Sequence, residues 1–464
     1  MAPPSLGSDR GTAQGSAPAL WRLLQAAADI VLAVRAGRSA TAALERVDAR
    51  LRPGTQALSF QALRNLGRAQ ALRQRLAQRA PAPAADALLC TALALCWVEE
   101  QAPYEAFTLV DQAVEAAKRS ASTRGQAGFI NACLRRFLRQ REALVAATDA
   151  DPVARWNHPQ WWIDRLRRDH PQHWEAILQA NNSQPPMTLR VNARRSSPAQ
   201  YMATLQVAGI EAATSGACGV VLAHALPVRE VPGFEAGVVS VQDVAAQLAA
   251  PLLLRGLDAM ARTGAAGALR VLDACAAPGG KTAHLLELAD ADVVALDVDP
   301  GRCERIVQTL ARLGLKAQVV AADAREPSAW WDGRPFDAIL LDAPCTASGI
   351  ARRHPDVRWL RRPGDVEQLA AVQAGLLAAL WPLVRPGGLL LYCTCSVFRA
   401  EGEAQAQTFV THNKDALSRP APGHLMPQTG AKADAVRDNL EGDHDGFFYA
   451  LFEKHSGRSA EQSA

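Results

Sequence analysis

A chain of 464 residues is longer than a single hydrophobic core comfortably grows, so two or three domains are expected. With 49% hydrophobic and 21% charged residues the chain can bury large cores, and no apolar run is expected to reach the roughly 18 residues of a membrane span. The net charge of +4 is mild and by itself says little about nucleic acid. The nine cysteines are odd in number and scattered, mostly in apolar runs, which argues against a disulfide framework and for reduced thiols in a cytoplasmic protein. Cys393 and Cys395 lie close together, but a C-x-C without a second ligand pair is a weak zinc signature, and no metal is expected.

In chain order, residues 1–18 carry no apolar core of the signal-peptide type and read as a disordered tail. Residues 19–150 are rich in Ala, Leu, Arg and Gln with apolar positions three and four apart, which predicts an all-helical domain broken near Pro81 and Pro103. Residues 151–234 read as a small mixed α/β domain. Trp156, Trp161, Trp162 and Trp174 are expected to be packing anchors there, and "PPMTLRVN" alternates as a strand. From residue 235 to the end, five apolar strands alternate with helices near 281–290, 301–313 and 365–384. They read 269–275, 292–299, 317–323, 336–345 and 388–397. Continuous apolar strands separated by helices imply a doubly wound, Rossmann-like parallel sheet covered on both faces.

The stretch "VLDACAAPGGKT" (271–282) has the lysine end of a phosphate loop, but the position of the loop's first glycine is Cys275. Each strand of the sheet ends in a polar or reactive residue: Asp273, Asp297, Asp323, Asp342 with Cys345, and Cys395. Ligands bind beyond the carboxyl ends of such strands, so these positions converge on one rim. Asp297, ending the second strand, stands where nucleotide-binding sheets place an acid for the ribose hydroxyls, yet G-x-G-x-x-G is missing and a pyrophosphate has no cradle. A cofactor with adenosine and no phosphate, S-adenosylmethionine, accounts for both facts, with Asp323 meeting the adenine amino group by analogy.

Two thiols beside a methyl-donor pocket suit attack on a pyrimidine. Carbon 5 is a poor nucleophile until a thiolate adds to carbon 6, and an acid beside N3, here Asp342, would stabilise the adduct. Either Cys345 or Cys395 could be that nucleophile on spacing alone. The segment "ARRHPDVRWLRR" (351–362) joins Arg352, Arg353, Arg358, Arg361 and Arg362 to His354 and Trp359, combining phosphate-pairing charge with a stacking surface, so RNA contact is expected there.

"DACAAPGGKT", "LLDAPCTASGIARRHPDVRW" and "YCTCSV" resemble the motifs of the Nop2/Sun family of RNA 5-methylcytosine methyltransferases. "GFINACLRRFLRQ" (128–140) resembles a NusB-like RNA-binding domain. "ANNSQPPMTLRVN" (180–192), "VPGFEAGVVSVQDVAAQL" (231–248) and "DGFFYA" (445–450) resemble the family's branch that modifies 16S ribosomal RNA. The resemblance spans nearly the whole chain from about residue 20. It implies that Cys275, Ala276, Ala277, Pro278, Gly279, Gly280, Lys281, Asp297, Asp323 and Asp342 line the S-adenosylmethionine pocket. It also implies that Cys395 is the nucleophile, that Cys345 assists proton removal and release, and that Lys281 helps hold Asp342 and the base. Cys393 departs from the family pattern, which has a small residue there, usually alanine. The expected partner is 16S rRNA, with neither DNA nor a membrane, and the expected state is a monomer.

Overall fold

The computed structural model describes residues 18–100, 102–261, 269–427 and 443–455; most of the expected N-terminal tail lies outside them. The chain divides into two compact units between Asn157 and His158.

The first unit is helical throughout. Its centre is the helix Pro83–Cys96, in which every residue from Ala87 to Cys96 is buried, as an all-round apolar sequence requires. Leu20–Arg35, Arg52–Arg64, Leu66–Leu76, Ala106–Arg119 and Ala127–Arg139 surround it. The buried guanidinium of Arg68 is held by Asp149 at 2.7 Å and by the Thr148 hydroxyl at 2.6 Å, so its charge is paired.

The second unit contains two sheets. The smaller is four-stranded and antiparallel: β1 (Met187–Val191), β2 (Ala212–Ser215), β3 (Gly219–Leu222) and β4 (Val239–Val241), in the order β2-β3-β1-β4. The larger has seven strands: β5 (Leu269–Ala274), β6 (Ala291–Asp297), β7 (Gln318–Ala321), β8 (Phe336–Asp342), β9 (Val384–Thr394), β10 (Ala416–Leu425) and β11 (Phe447–Lys454). Its order is β10-β11-β9-β8-β5-β6-β7. The five strands β5 to β9 are parallel and correspond to those expected, while β11 and β10 add an antiparallel edge beside β9. The sheet is therefore mixed.

Alternate residues along each strand enter opposite layers. Val271, Val293, Leu340 and Leu391 pack under the helices Ala249–Ala261, Gly280–Leu288 and Pro300–Leu313. Leu272, Leu296, Leu341 and Tyr392 pack under Pro363–Leu380 and Glu403–His412. The helical stretch Pro363–Leu383 does reach the length and apolarity of a membrane span, contrary to the sequence expectation. Its buried Leu376, Leu377 and Leu380 pack against the sheet. Trp162 is fully buried edge-on against Phe398 at 5.1 Å, an anchor as expected, and Phe398 follows Cys395 by three residues.

One ion pair ties the small sheet to the large one. Arg190 of β1 makes a fork to Glu287, with Nε to Oε2 at 2.9 Å and an end nitrogen to Oε1 at 2.8 Å, and also donates to the Gly280 carbonyl at 2.8 Å. Both side chains are only 1% exposed. Arg190→Ala would strand a buried carboxylate, so we expect a loss of about 3–5 kcal/mol in urea unfolding, with Glu287→Gln/Arg190→Met recovering much of it.

Candidate active site

The chain passes from β5 to β6 to β7 on one side and then crosses to place β8 on the other side of β5. This reversal opens the crevice at the carboxyl ends of β5 and β8 in which sheets of this kind bind ligands. The turn after β5 is tight. Cys275 takes a positive φ of 62°, Ala277-Pro278 is a cis peptide, and Gly279 takes φ 95° before the helix Gly280–Leu288 begins. A Cβ on Gly279 would stand 3.2 Å from Ile306, so both backbone angle and space demand glycine.

Four carboxylates line the rim. Asp273 is fully buried; it accepts from the Thr282 hydroxyl at 2.5 Å through Oδ2, and its Oδ1 has no partner. Burial, opposed by that hydrogen bond and reinforced by Asp342, pushes this carboxyl up to about 7. Asp297 accepts from the Ala277 and Asp299 amides at 3.1 and 3.2 Å and is faced by the half-exposed Arg302 at 3.4 Å. Asp323 is gripped by Arg325, at 2.6 Å for the closest pair, and those hydrogen bonds hold its carboxyl below the usual range. Asp342 meets Lys281 Nζ at 2.6 Å, which joins the β5 turn to the end of β8. Burial alone would lower the Lys281 ammonium, but Asp342, with Cys393 and Cys395, outweighs it and raises it, so the lysine stays charged.

This donor set fits an adenosine-bearing sulfonium. Hydroxyls and an exocyclic amine are donors that carboxylates accept, and a rim of acids favours a positive ligand over a phosphate.

The two thiols meet beside this rim. Cys345 Sγ and Cys395 Sγ are 3.4 Å apart, from the loops that follow the adjacent strands β8 and β9. The Cys345 thiol is raised by its hydrogen bond with Cys395, by burial, and by the charges of Cys395 and Glu401. Cys393 is fully buried and points at Asp342 Oδ1 at 3.5 Å; burial and Asp342 hold its thiol well up, which makes it a packed, inert neighbour. Backbone pinching aligns the two loops: the Gly349 amide donates to the Cys395 carbonyl and the Gly446 amide to the Gly349 carbonyl, both at 2.9 Å. A Cβ on Gly349 would lie 2.0 Å from the Gly446 oxygen. The Asp445-Gly446 segment before β11 thus serves to shape this loop.

The arginines expected to touch RNA are placed differently. Arg352 is fully buried between Asp445 and Asp443, each at 2.5 Å, and Arg358 is fully buried with Asn182 and the Asn181 carbonyl at 2.5 Å. Arg353 bonds Asp243 at 2.8 Å, the Pro186 carbonyl at 3.0 Å and Asp445. Burying a charge requires paired acceptors, and here segments far apart in sequence supply them, which withdraws Arg352 and Arg358 from RNA. His354 is exposed and Trp359 half-buried. Arg361 donates to the Cys345 and Thr346 carbonyls at 3.2 and 3.1 Å; exposed Arg167 and Arg168 line a groove with Asp164, Arg165, Pro363 and Glu367, and exposed Arg362 directly precedes Pro363.

Comparison with known proteins follows the same division. Residues 23–139 match the NusB family, 158–229 the ferredoxin-like domain of RsmF/B-like methyltransferases, and 266–453 the 16S rRNA methyltransferase RsmB/F family. Ribosomal RNA small subunit methyltransferase B of Pseudomonas syringae pv. tomato is 42% identical over 441 residues, covering 92% of this chain and 95% of that protein. The chain belongs to the ribosomal RNA small subunit methyltransferase B family. Among solved structures, PH0851 superposes with TM-score 0.70 over 93% of this chain and 99% of its own, at 23% identity. NSun6 from Pyrococcus horikoshii, solved with the S-adenosylmethionine analogue SFG, superposes with TM-score 0.51 over 64% of this chain and 98% of its own, at 18% identity. Both likenesses concern the fold. The methyltransferase motifs therefore sit on the strand ends where the sheet reverses.

Asp273 yields a pH prediction. Its folded value of about 7 lies above the ordinary 3.8, so between these values the folded state holds more protons than the unfolded. The stability it contributes is complete below about pH 4 and is lost as pH rises through about 7. Asp273→Asn retains an acceptor for Thr282 and removes the titration. Urea midpoints measured from pH 4 to 8 should fall for the wild type relative to the variant; parallel curves would contradict the assignment.

Proposed function

We propose that this methyltransferase transfers a methyl group to C5 of one cytosine in 16S rRNA, through a covalent adduct between Cys395 and C6. The observation that carries the reading is the 3.4 Å approach of Cys345 and Cys395, beside the Lys281–Asp342 pair at the carboxyl ends of β5, β8 and β9. Bound against Cys275 to Lys281, Asp297, Asp323 and Asp342, S-adenosylmethionine supplies an electrophilic methyl group.

Cys395 as thiolate adds to C6, which moves electron density to C5 and leaves negative charge at N3 and O2 of the ring. We assign Asp342, which Lys281 holds, to sharing a proton with N3 and spreading that charge. Once C5 carries the methyl group, Cys345 takes the C5 proton. The C5–C6 double bond re-forms and Cys395 leaves as thiolate. The target base must be unstacked to reach the rim. Exposed Arg167, Arg168 and Arg362, rather than Arg352 and Arg358, are the arginines we assign to phosphate contact. We place the enzyme in the cytoplasm, where 16S rRNA is assembled, and expect it to act as a monomer. The same chemistry on tRNA or another rRNA site is the closest rival.

Methyl transfer from labelled S-adenosylmethionine to unmethylated 16S rRNA, free and in small-subunit particles with tRNA alongside, tests this reading. One bisulfite-resistant cytosine in 16S rRNA is expected, absent with Cys395→Ala; incorporation into tRNA alone would overturn the substrate. Cys345→Ala should remain covalently attached to RNA on a denaturing gel. For the double variant Arg167→Glu/Arg168→Glu, RNA binding should weaken and the slope of log affinity against log salt should shrink by about 1–2.

A further inference from the structure

Glu401 is a charged residue that the chemistry above does not use, yet it is fully buried between the two thiol loops. It ends the short turn Arg399–Glu401 after β9. Oε1 accepts from the Thr346 amide at 2.8 Å and from Gln373 Nε2 at 3.4 Å; Oε2 accepts from the Thr346 hydroxyl at 2.5 Å and the Ser396 hydroxyl at 2.6 Å. Thr346 directly follows Cys345, and Ser396 directly follows Cys395. One carboxylate thus grips the residue next to each sulfur, across 50 residues of sequence.

The surrounding bonds extend the grip. Gln373 Nε2 also donates to the Pro344 carbonyl at 2.9 Å, just before Cys345. The Glu401 carbonyl accepts from the Tyr392 hydroxyl at 2.7 Å and the Thr394 hydroxyl at 3.2 Å, just before Cys395. Ser396 and Ser348 hydroxyls lie 2.8 Å apart, and the Ser348 hydroxyl accepts from the Val397 amide at 3.0 Å. Every donor to the carboxylate is neutral, and among the described residues no arginine, lysine or histidine pairs with it. Burial pushes the Glu401 carboxyl up from its ordinary value, and the hydrogen bonds from Ser396, Thr346 and Gln373 oppose that rise, so hydrogen bonds alone offset the cost of a buried charge here. For packing alone a neutral side chain would serve at less cost.

We propose that Glu401 is a positioning residue of the methyl-transfer site: by gripping Thr346 and Ser396 it fixes the two sulfurs in mutual register, and it sets a carboxylate beside both thiol loops, where its charge acts on Cys345. This rests on the assignment of Cys395 as nucleophile and Cys345 as proton acceptor. The ionisable groups around Cys345 are Cys395 and Tyr392 from β9 and its end, Glu401 from the turn, and Arg361, whose guanidinium is on the Cys345 carbonyl. Glu401 and Cys395 both hold the Cys345 proton in place at rest. When the Cys395 sulfur becomes part of a carbon–sulfur bond it no longer accepts that proton. The proton then passes to solvent, leaving Cys345 free to take the one from C5. The remaining charge of Glu401 keeps it basic enough to do so.

Glu401→Gln keeps the shape and the Thr346 acceptor and removes the charge; Glu401→Ala removes both. In a Cys395→Ala background, the pH at which Cys345 reacts half-maximally with iodoacetamide should move down by about one unit in Glu401→Gln, a tenfold change in ionisation. An unchanged midpoint would overturn the electrostatic role. With Cys395 present, Glu401→Gln should lower kcat about tenfold or more with an unchanged KM for RNA, and should accumulate the covalent protein–RNA species. Wild-type turnover in this variant would overturn the positioning role. The alkylation needs neither RNA nor cofactor, so a wrong substrate assignment leaves it unaffected, and the Gln variant keeps the test valid where the Ala variant fails to fold.

Discussion

The ion pair between Lys281 and Asp342 joins the two halves of the sheet on which the site is built. Lys281 opens the helix after the β5 turn, Asp342 closes β8, and the 2.6 Å contact between them spans the crevice made where the strand order reverses. Were it absent, Asp342 would face Asp273 without the lysine that offsets their repulsion. Because the pair sits in a largely desolvated position it is electrostatically strong, and it fixes the direction in which the Asp342 carboxyl faces the crevice.

Around that pair the structure uses buried charge as a ruler. Arg190 and Glu287 lock the antiparallel sheet onto the helix that begins at Gly280, so the cofactor turn is braced from behind. Arg352 and Arg353 with Asp243, Asp443 and Asp445 tie the loop after Cys345 to the segment before β11 and to the residues after β4. Such pairs add little net stability over apolar packing, but they tolerate few alternative geometries, and a reaction between two sulfurs and one ring needs just that restriction.

Much of this was legible in the sequence because strand-end chemistry is local. An apolar run that ends in Asp or Cys announces both the strand and the rim, and Asp273, Asp297, Asp342, Cys345 and Cys395 all come to that rim. What was not legible depends on partners far along the chain. Arg352 and Arg358 look like an RNA-facing cluster until Asp445 and Asn182, 93 and 176 residues away, are seen to consume their charge and donors. Glu401 gave no signal, since an acid two residues past an aromatic and an arginine reads as a solvated turn. The antiparallel edge of β10 and β11 was hidden by the polar, proline- and glycine-containing sequence of β10. The helix Pro363–Leu380 was read correctly as a sheet cover, but its apolarity was underestimated because its acids cluster in the first two turns.

Cys395, and not Cys345, is the sulfur we assign to the bond with the base. Small-subunit rRNA transcribed with 5-fluorocytidine would trap that bond, because fluorine at C5 cannot be removed as a proton and the sulfur cannot leave. After incubation with S-adenosylmethionine, the linked protein would be digested and the modified peptide sequenced by mass spectrometry. The account predicts a nucleotide on Cys395 with Cys345 unmodified; a nucleotide on Cys345 would contradict it.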